Sequence, residues 1–353
     1  MTVDADTPRS LGRATISDVA KAAGVSVATV SKVVNGRYGV AATTYSRVMD
    51  VVGALGYETS LVASSLRRQR TNVIGVLVSE FEPYSAELLK GVGEAARGTG
   101  YELLAYSGWT TEAPSVGWEK RSLSRLAGTL IDGAILVTPT VLMPDTSIPV
   151  VAIDPHTGNG GPSTIDVDSV GGSRAATDYL ISLGHTRIAH LRGRSDLESA
   201  HLREVGYREA LRGAGIPFDP ELVRDGDYRR EEGHQRALEL LRLRERPTAI
   251  FAANDLSALG ALDAAREVGV TVPGELSIVG FDDIPEASSS EPRLTTIAQP
   301  LHEMGALALR MLVEQLAGNE DGKRHHHLHS ELVVRETAAA PGTARRSRAG
   351  LDG

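Results

Sequence analysis

From residue 72 onward the chain alternates short, unbroken apolar runs with longer amphipathic stretches, and that alternation admits very few folds. The runs are VIGVLV (73–78), YELLAY (101–106), GAILV (133–137), PVVAID (149–154), RIAHL (187–191), TAIFAA (248–253) and LSIVGF (276–281). Between them helical periodicity covers 86–98, 173–183, 202–213, 233–243 and 257–268. A strand apolar on both sides must be covered on both sides, so the pattern predicts parallel sheets wrapped by helices. In open sheets of this kind, ligands bind beyond the carboxyl ends of the strands. With 353 residues, 41% of them hydrophobic, the chain has room for two or three units and full cores.

The first seventy residues follow another pattern. Thr15-Ile-Ser-Asp18 reads as a capping box that starts a helix over 16–23, stopped at Gly24. Ser26 is the next N-cap, for a helix over 27–34 that ends at Asn35-Gly36. A third helix over 43–55 carries Val48, Val51, Val52 and Leu55 on one face. Two short helices joined by a glycine turn form a helix-turn-helix. Ala20 is the small residue at the crossing, and Val19, Val30 and Val33 fill the space between the helices.

Charge separates the same two regions. A net charge of −8 argues against a nucleic-acid partner when taken over the whole chain. Residues 1–72, however, hold nine Lys/Arg against five acids, and the remainder holds 28 against 40. A basic reader on an acidic body fits this asymmetry. The chain has no cysteine, which excludes disulfides, a thiolate nucleophile and Cys-ligated zinc. The segment MTVDADTPRSLGRATISD has no apolar core and reads as no secretory signal, and no apolar run approaches the roughly 18 residues of a membrane span. A cytoplasmic protein is expected, associated with the nucleoid when bound to DNA.

TISDVAKAAGVSVATVSKVVNG (15–36) resembles the N-terminus of the lactose-repressor (LacI/GalR) family of bacterial transcription regulators. The similarity continues through SLRRQRTNVIGVLV (65–78), DYLISLGHTRIAHLRG (178–193), AIFAANDLSALGAL (249–262), ELSIVGFDDIPEAS (275–288) and LTTIAQPLHEMG (294–305). It implies an all-α helix-turn-helix module with a hinge helix, then an α/β two-lobed, periplasmic-binding-protein-like domain with parallel sheets. The boundaries that follow are a flexible N-terminus at 1–14, the DNA-binding domain at 15–57 and a hinge helix or linker at 58–71. The effector-binding and dimerisation domain takes 72–338, and a disordered tail takes 339–353. Lobe 1 spans about 72–166 and 300–328, and lobe 2 about 167–298 and 330–338, with three crossovers near 166–170, 298–300 and 328–331.

The helix 27–34 would enter the major groove. Val27 and Ala28 could offer only apolar contact, for example to thymine methyls, while Thr29, Lys32 and Asn35 are polar candidates for base edges. Ser26, Ser31 and Arg37 suit phosphates, and Thr15 completes the DNA-contacting set. The family usually has Ser near Ala41 and Arg near Tyr45, so two phosphate contacts are missing. In the hinge the resemblance implies a minor-groove wedge at Leu66, with Ala63 at the close approach and Arg67 beside it.

Polar residues just after apolar runs are the ligand candidates. By matching position, Asp154, Arg203, Asn254 and Asp282 are the effector residues the resemblance implies, with Ser79 and Gln299 added. Carboxylates, an amide and a guanidinium suit sugar hydroxyls, since each gives or takes paired hydrogen bonds. Glu80 follows the first run as well, and Asp196, Asp255 and Asp283 read as helix caps. Tyr84, Trp109, Phe281 and Phe81 could stack on a sugar ring, with core packing as the alternative.

The chain contains no G-x-S-x-G elbow, phosphate loop or H-E-x-x-H, so no enzyme, cofactor or metal is expected. His325-His326-His327 with His329 is read as an exposed loop. The expectation is a repressor of carbohydrate-utilisation genes, a homodimer released from a palindromic operator by a neutral mono- or oligosaccharide. No leucine-heptad tail follows residue 338, so a tetramer is not expected. The alternatives are a regulator using a corepressor or partner protein, and a sugar-binding module without regulatory role.

Overall fold

The computed structural model describes residues 14–34, 39–57, 70–108, 116–143, 146–156, 161–195, 197–319, 322 and 324–342. The chain divides into two compact units, Met1–Thr71 and Asn72–Gly353. In the first, α1 (Ile16–Ala23), α2 (Val27–Val34) and α3 (Ala42–Leu55) enclose a small core of Val19, Ala20, Ala23, Val30, Val33 and Val48. The capping box forms as its spacing demands. Asp18 N donates to Thr15 Oγ1 at 3.3 Å, and Thr15 N donates to Asp18 Oδ2 at 2.8 Å. Gly24 takes the left-handed conformation (φ 63°) that ends α1, and Val25 N closes the turn onto Ala20 O at 3.0 Å. The hinge 58–69, with Ala63, Leu66 and Arg67, lies outside the described residues.

The second unit holds two six-stranded sheets. One is built from β1 (Val73–Val78), β2 (Glu102–Ser107), β3 (Gly133–Val137), β4 (Val150–Ile153), β5 (Ser163–Val167) and β11 (His325–Leu328), in the order β11-β5-β4-β3-β1-β2, all parallel. The other uses β6 (Ile188–Arg192), β7 (Val223–Asp225), β8 (Ala249–Ala252), β9 (Ser277–Asp282), β10 (Thr295–Ala298) and β12 (Glu331–Val333). Its order is β12-β10-β9-β8-β6-β7, parallel except for β12.

Helices α4 (Pro83–Ala96), α5 (Trp118–Leu126) and α11 (Leu301–Leu316) cover the first sheet. Helices α6 (Ser169–Ser182), α7 (Glu198–Gly213), α8 (Arg230–Leu241), α9 (Asp255–Glu267) and the short α10 (Pro285–Ser289) cover the second. Each sheet therefore carries an apolar layer on both faces, which is why β1, β3, β4 and β8 are buried along their whole length. The chain passes between sheets three times, at 168, 299–300 and 329–330.

Four expectations need correction. Five helices of this unit begin two to four residues earlier than their apolar periodicity, at Pro83, Ser169, Glu198, Arg230 and Asp255. YELLAY is apolar, yet β2 is an edge strand with Leu103 exposed, because only β1 flanks it. The histidine run is a strand, not a loop: His325–Leu328 pairs with Thr164–Val167, and His325 Nδ1 and His327 Nδ1 lie 2.7 and 2.6 Å from Thr164 Oγ1 and Asp166 Oδ1. Backbone pairing holds it, so no apolar pattern is needed. Residues 339–342 are not a loose tail. Ala339 N donates to Ser277 Oγ at 3.0 Å, and Ala339 O lies 2.9 Å from both Ser277 Oγ and His185 Nε2. Among the described residues no helix is long and apolar enough to cross a membrane, and no three metal-ligating side chains come together.

Candidate functional site

In the first unit, packing of Val30 and Val33 into the three-helix core leaves the opposite face of α2 in solvent. Ser26, Val27, Ala28 and Lys32 are exposed there, with Thr29 and Ser31 half-buried beside them. Ser26 is also the N-cap, its Oγ accepting from Thr29 N at 3.1 Å. Thr15 is exposed, with its hydroxyl engaged by Asp18 at the start of α1. Asn35 and Arg37 lie outside the described residues. The exposed face is short, polar at its ends and apolar at Val27 and Ala28, and of a size that fits a major groove.

In the second unit, the carboxyl ends of the two sheets line one cavity of about 600 Å³. It brings together Ser79 after β1, Tyr84 on α4, Asp154 after β4, Arg203 on α7, Asn254 after β8 and Asp282 at the end of β9. Three sequence candidates fall elsewhere. Phe281 is fully buried with Phe251, Val279 and Ile297, because the strand turns residue 281 toward α6 and α7 and residue 282 toward the cavity. Gln299 is not on the cavity wall but braces it, donating from Nε2 to Asp282 Oδ1 at 2.6 Å. Phe81 is exposed and off the cavity, and Trp109 lies outside the described residues.

Arg203 organises the second-sheet side. Its guanidinium lies 3.9 Å over the Phe281 ring and 5.6 Å from the Tyr228 ring, donates to Ala253 O at 2.6 Å and meets Asp282 Oδ1 at 3.5 Å. Ring faces and the Ala253 carbonyl hold this buried cation beside Asp282, while its Nε has no hydrogen-bond partner in the protein. Burial pushes the Asp282 pKa up to about 7, with Asp154 adding to the rise and Arg203 and Gln299 opposing it. Glu82, at the N-terminus of α4, is likewise pushed up to about 7, by burial first and then by Asp282 and Glu80. Six carboxylates and three guanidinium groups line the cavity, so it is rich in acceptors and poor in phosphate ligands.

At the start of α9 both roles that the sequence divided between two neighbours fall to Asn254. Asn254 is the helix cap, its Oδ1 accepting from Ser257 N at 3.0 Å, and it still faces the cavity. Asp255 caps nothing. It is fully buried, accepting from Thr296 Oγ1 at 2.5 Å and from Ile284 N at 2.9 Å. Asp283 pairs with Arg335 at 2.7 Å, and Asp196 lies outside the described residues.

Comparison with known proteins decides the family. Residues 15–60 match the signature described as bacterial regulatory proteins, lacI family, and 177–338 match the periplasmic binding protein-like domain. The HTH-type transcriptional regulator DegA of Bacillus subtilis (strain 168) is 36% identical over 337 residues, covering 93% of this chain and 98% of DegA. The chain belongs to the LacI family of bacterial regulators. The transcriptional repressor PurR of Aliivibrio salmonicida (strain LFI1238) is 34% identical over 92% of this chain and 98% of its own. Among solved structures, the Lac repressor dimer bound to operator and the anti-inducer ONPF aligns with TM-score 0.77 at 30% identity, over 93% of this chain and all of that one. The CelR–cellobiose complex aligns with TM-score 0.67 at 33% identity, over 92% and 100%. This LacI-family chain is thus a DNA-binding transcriptional regulator, and its relatives are regulators rather than enzymes.

The LacI-family cavity also contains residues that position after a strand did not single out. Glu82 immediately precedes α4, Glu232 sits in the first turn of α8, Trp118 opens α5, and Arg194 and Arg229 follow β6 and β7. Arg229 Nη2 reaches Glu80 Oε2 at 2.8 Å, so an ion pair joins the wall below the first sheet to that below the second. The signal in the sequence is weak. Each residue lies between a strand and the helix after it, and ligands of open sheets bind at those junctions, so first helical turns are candidates as well.

Proposed function

We propose that this regulator is a repressor of carbohydrate-utilisation genes, a homodimer on a palindromic operator that lets go when a neutral sugar enters the cavity. One helix-turn-helix reads one half-site, so a two-fold operator calls for a two-fold protein. The observation carrying the sugar reading is the set of acceptors and donors formed by Asp154, Asn254, Asp282 and Arg203 on one cavity of about 600 Å³. Sugar hydroxyls each donate and accept, matching acceptor carboxylates and a fixed guanidinium. A phosphorylated ligand would meet six carboxylates against three guanidinium groups.

The sugar acts by binding the low-affinity arrangement of the two sheets better than the operator-binding one; without that difference it shifts nothing. The test is a thermal-shift panel of neutral sugars, sugar phosphates and purines on the full chain, followed by operator anisotropy with each binder. The expected result is a raised Tm with a neutral sugar and weaker operator binding in its presence. Stabilisation by a purine or sugar phosphate alone would refute the sugar reading, and tighter operator binding with ligand would make it a corepressor. Asp154→Ala and Arg203→Ala are expected to abolish the response. Full response in either would remove the cavity from the mechanism.

A further inference from the structure

We infer that the cleft is built for an oligosaccharide of two or more linked rings, with a second-ring subsite over the ends of β1, β6 and β7. This rests on the reading of the cavity as a sugar site. The inner residues Asp154, Asn254 and Asp282 follow β4, β8 and β9. The cavity does not stop there. In the first sheet its wall runs on past β3 to Glu80 beyond β1, and in the second it runs past β8 to Arg194 beyond β6 and Arg229 beyond β7.

Sheet order converts these positions into length. From β4 to β1 is two strand spacings and from β9 to β7 is three, so the walls extend roughly 10 and 14 Å at about 4.8 Å per strand. A pyranose with its hydroxyls, made of bonds of about 1.5 Å, measures roughly 7 Å across. Volume agrees with length. A cavity of about 600 Å³ equals roughly twenty water volumes, whereas a hexose has about a dozen non-hydrogen atoms. One ring held by the inner residues leaves the β1–β7 end open.

The chemistry of that end suits a second neutral ring. Glu80 and Glu232 accept, Arg194 and Arg229 donate, and the Glu80–Arg229 pair at 2.8 Å already spans the two walls. A ring hydroxyl both donates and accepts, so it can join such a pair without a net charge of its own. Trp118 closes the same end. Its ring packs against Gly108 just past β2, the neighbour of β1, and its indole N–H has no hydrogen-bond partner in the protein.

Calorimetric titration of the full chain against neutral sugars, each monosaccharide paired with its own di- and trisaccharide, tests the length. The expected result is an oligomer binding at least about tenfold more tightly than its single ring. Arg194→Ala, at a partly exposed position, and Trp118→Phe, which removes the N–H together with the five-membered ring of the indole, are each expected to weaken the oligomer about three- to tenfold while the monosaccharide changes less than about twofold. Asp154→Ala is expected to weaken both. A monosaccharide binding as tightly as its oligomers, or both variants weakening single ring and oligomer alike, would overturn the second subsite and leave the sugar reading intact. Binding of no sugar at all would overturn the sugar reading and this inference together.

Discussion

Glu82 stands where α4 begins, on the cavity wall, and its carboxylate makes no capping bond to the helix. Burial there, with Asp282 and Glu80 nearby, raises its pKa from 4.5 to about 7, against the pull of Arg229. In the unfolded chain the group loses its proton near the lower value, and in the folded chain near the higher one. Between those pH values the folded state holds more protons, so stability is full below about pH 4.5 and falls as pH rises through about 7. The interval is equivalent to roughly 3 kcal/mol, an upper limit because the cavity is open to water.

Glutamine has the shape of the protonated acid and never ionises. Glu82→Gln is therefore expected to match the natural chain at about pH 5 and to exceed it by about 1–2 kcal/mol at about pH 8. For a unit of this size that is a Tm gain of roughly 2–4 °C. Urea midpoints across that pH range, without ligand, read the effect directly. Asp282 keeps its own raised pKa in the variant, so part of the pH slope remains. A stability difference independent of pH, or one that favours glutamine at low pH, would refute the assignment of an unpaired buried carboxyl.

Three further outcomes follow from local geometry. Gly91 and Gly93 lie in one helix, but a Cβ on Gly91 would overlap the His302 carbonyl whereas one on Gly93 meets nothing. Gly91→Ala should cost about 1–3 kcal/mol and Gly93→Ala should gain up to about 1 kcal/mol, both read from urea midpoints. Thr15→Ala removes the α1 cap, about 1 kcal/mol, so amide exchange in α1 of the full chain should accelerate about fivefold, with α7 unchanged. Arg203→Met strips the buried Asp282 of its counter-ion. Its cost, about 3–5 kcal/mol at about pH 8, should shrink at about pH 6, where Asp282 can take a proton.

Why apolar periodicity locates the strands but not the helix starts is a matter of what each residue is selected to touch. The interior of β8 faces only apolar layers, so its sequence is a plain apolar run. The starts of α4, α7, α8 and α9 border the cavity, where Glu82, Ser199, Glu232 and Asn254 line its wall rather than a core. Apolar periodicity begins only where a helix leaves the site and reaches its sheet. Four of the five unread starts thus border the cavity, whereas that of α6, at Ser169, does not.

Within the site, legibility ended where sheet order departs from chain order. Asp154 and Asn254 could be found because each directly follows a strand, a relation internal to a few residues. Whether Asn254 or Asp255 caps the helix depends on Thr296 and Ile284, dozens of positions later, and only the folded neighbours β9 and β10 bring them within reach of Asp255. Glu80 and Arg229 show the limit most plainly. They are 149 residues apart and 2.8 Å apart in space, because β1 and β7 end on opposite walls of the same cleft. No spacing in the chain encodes that contact. It exists only once the chain has passed from one sheet to the other at residue 168.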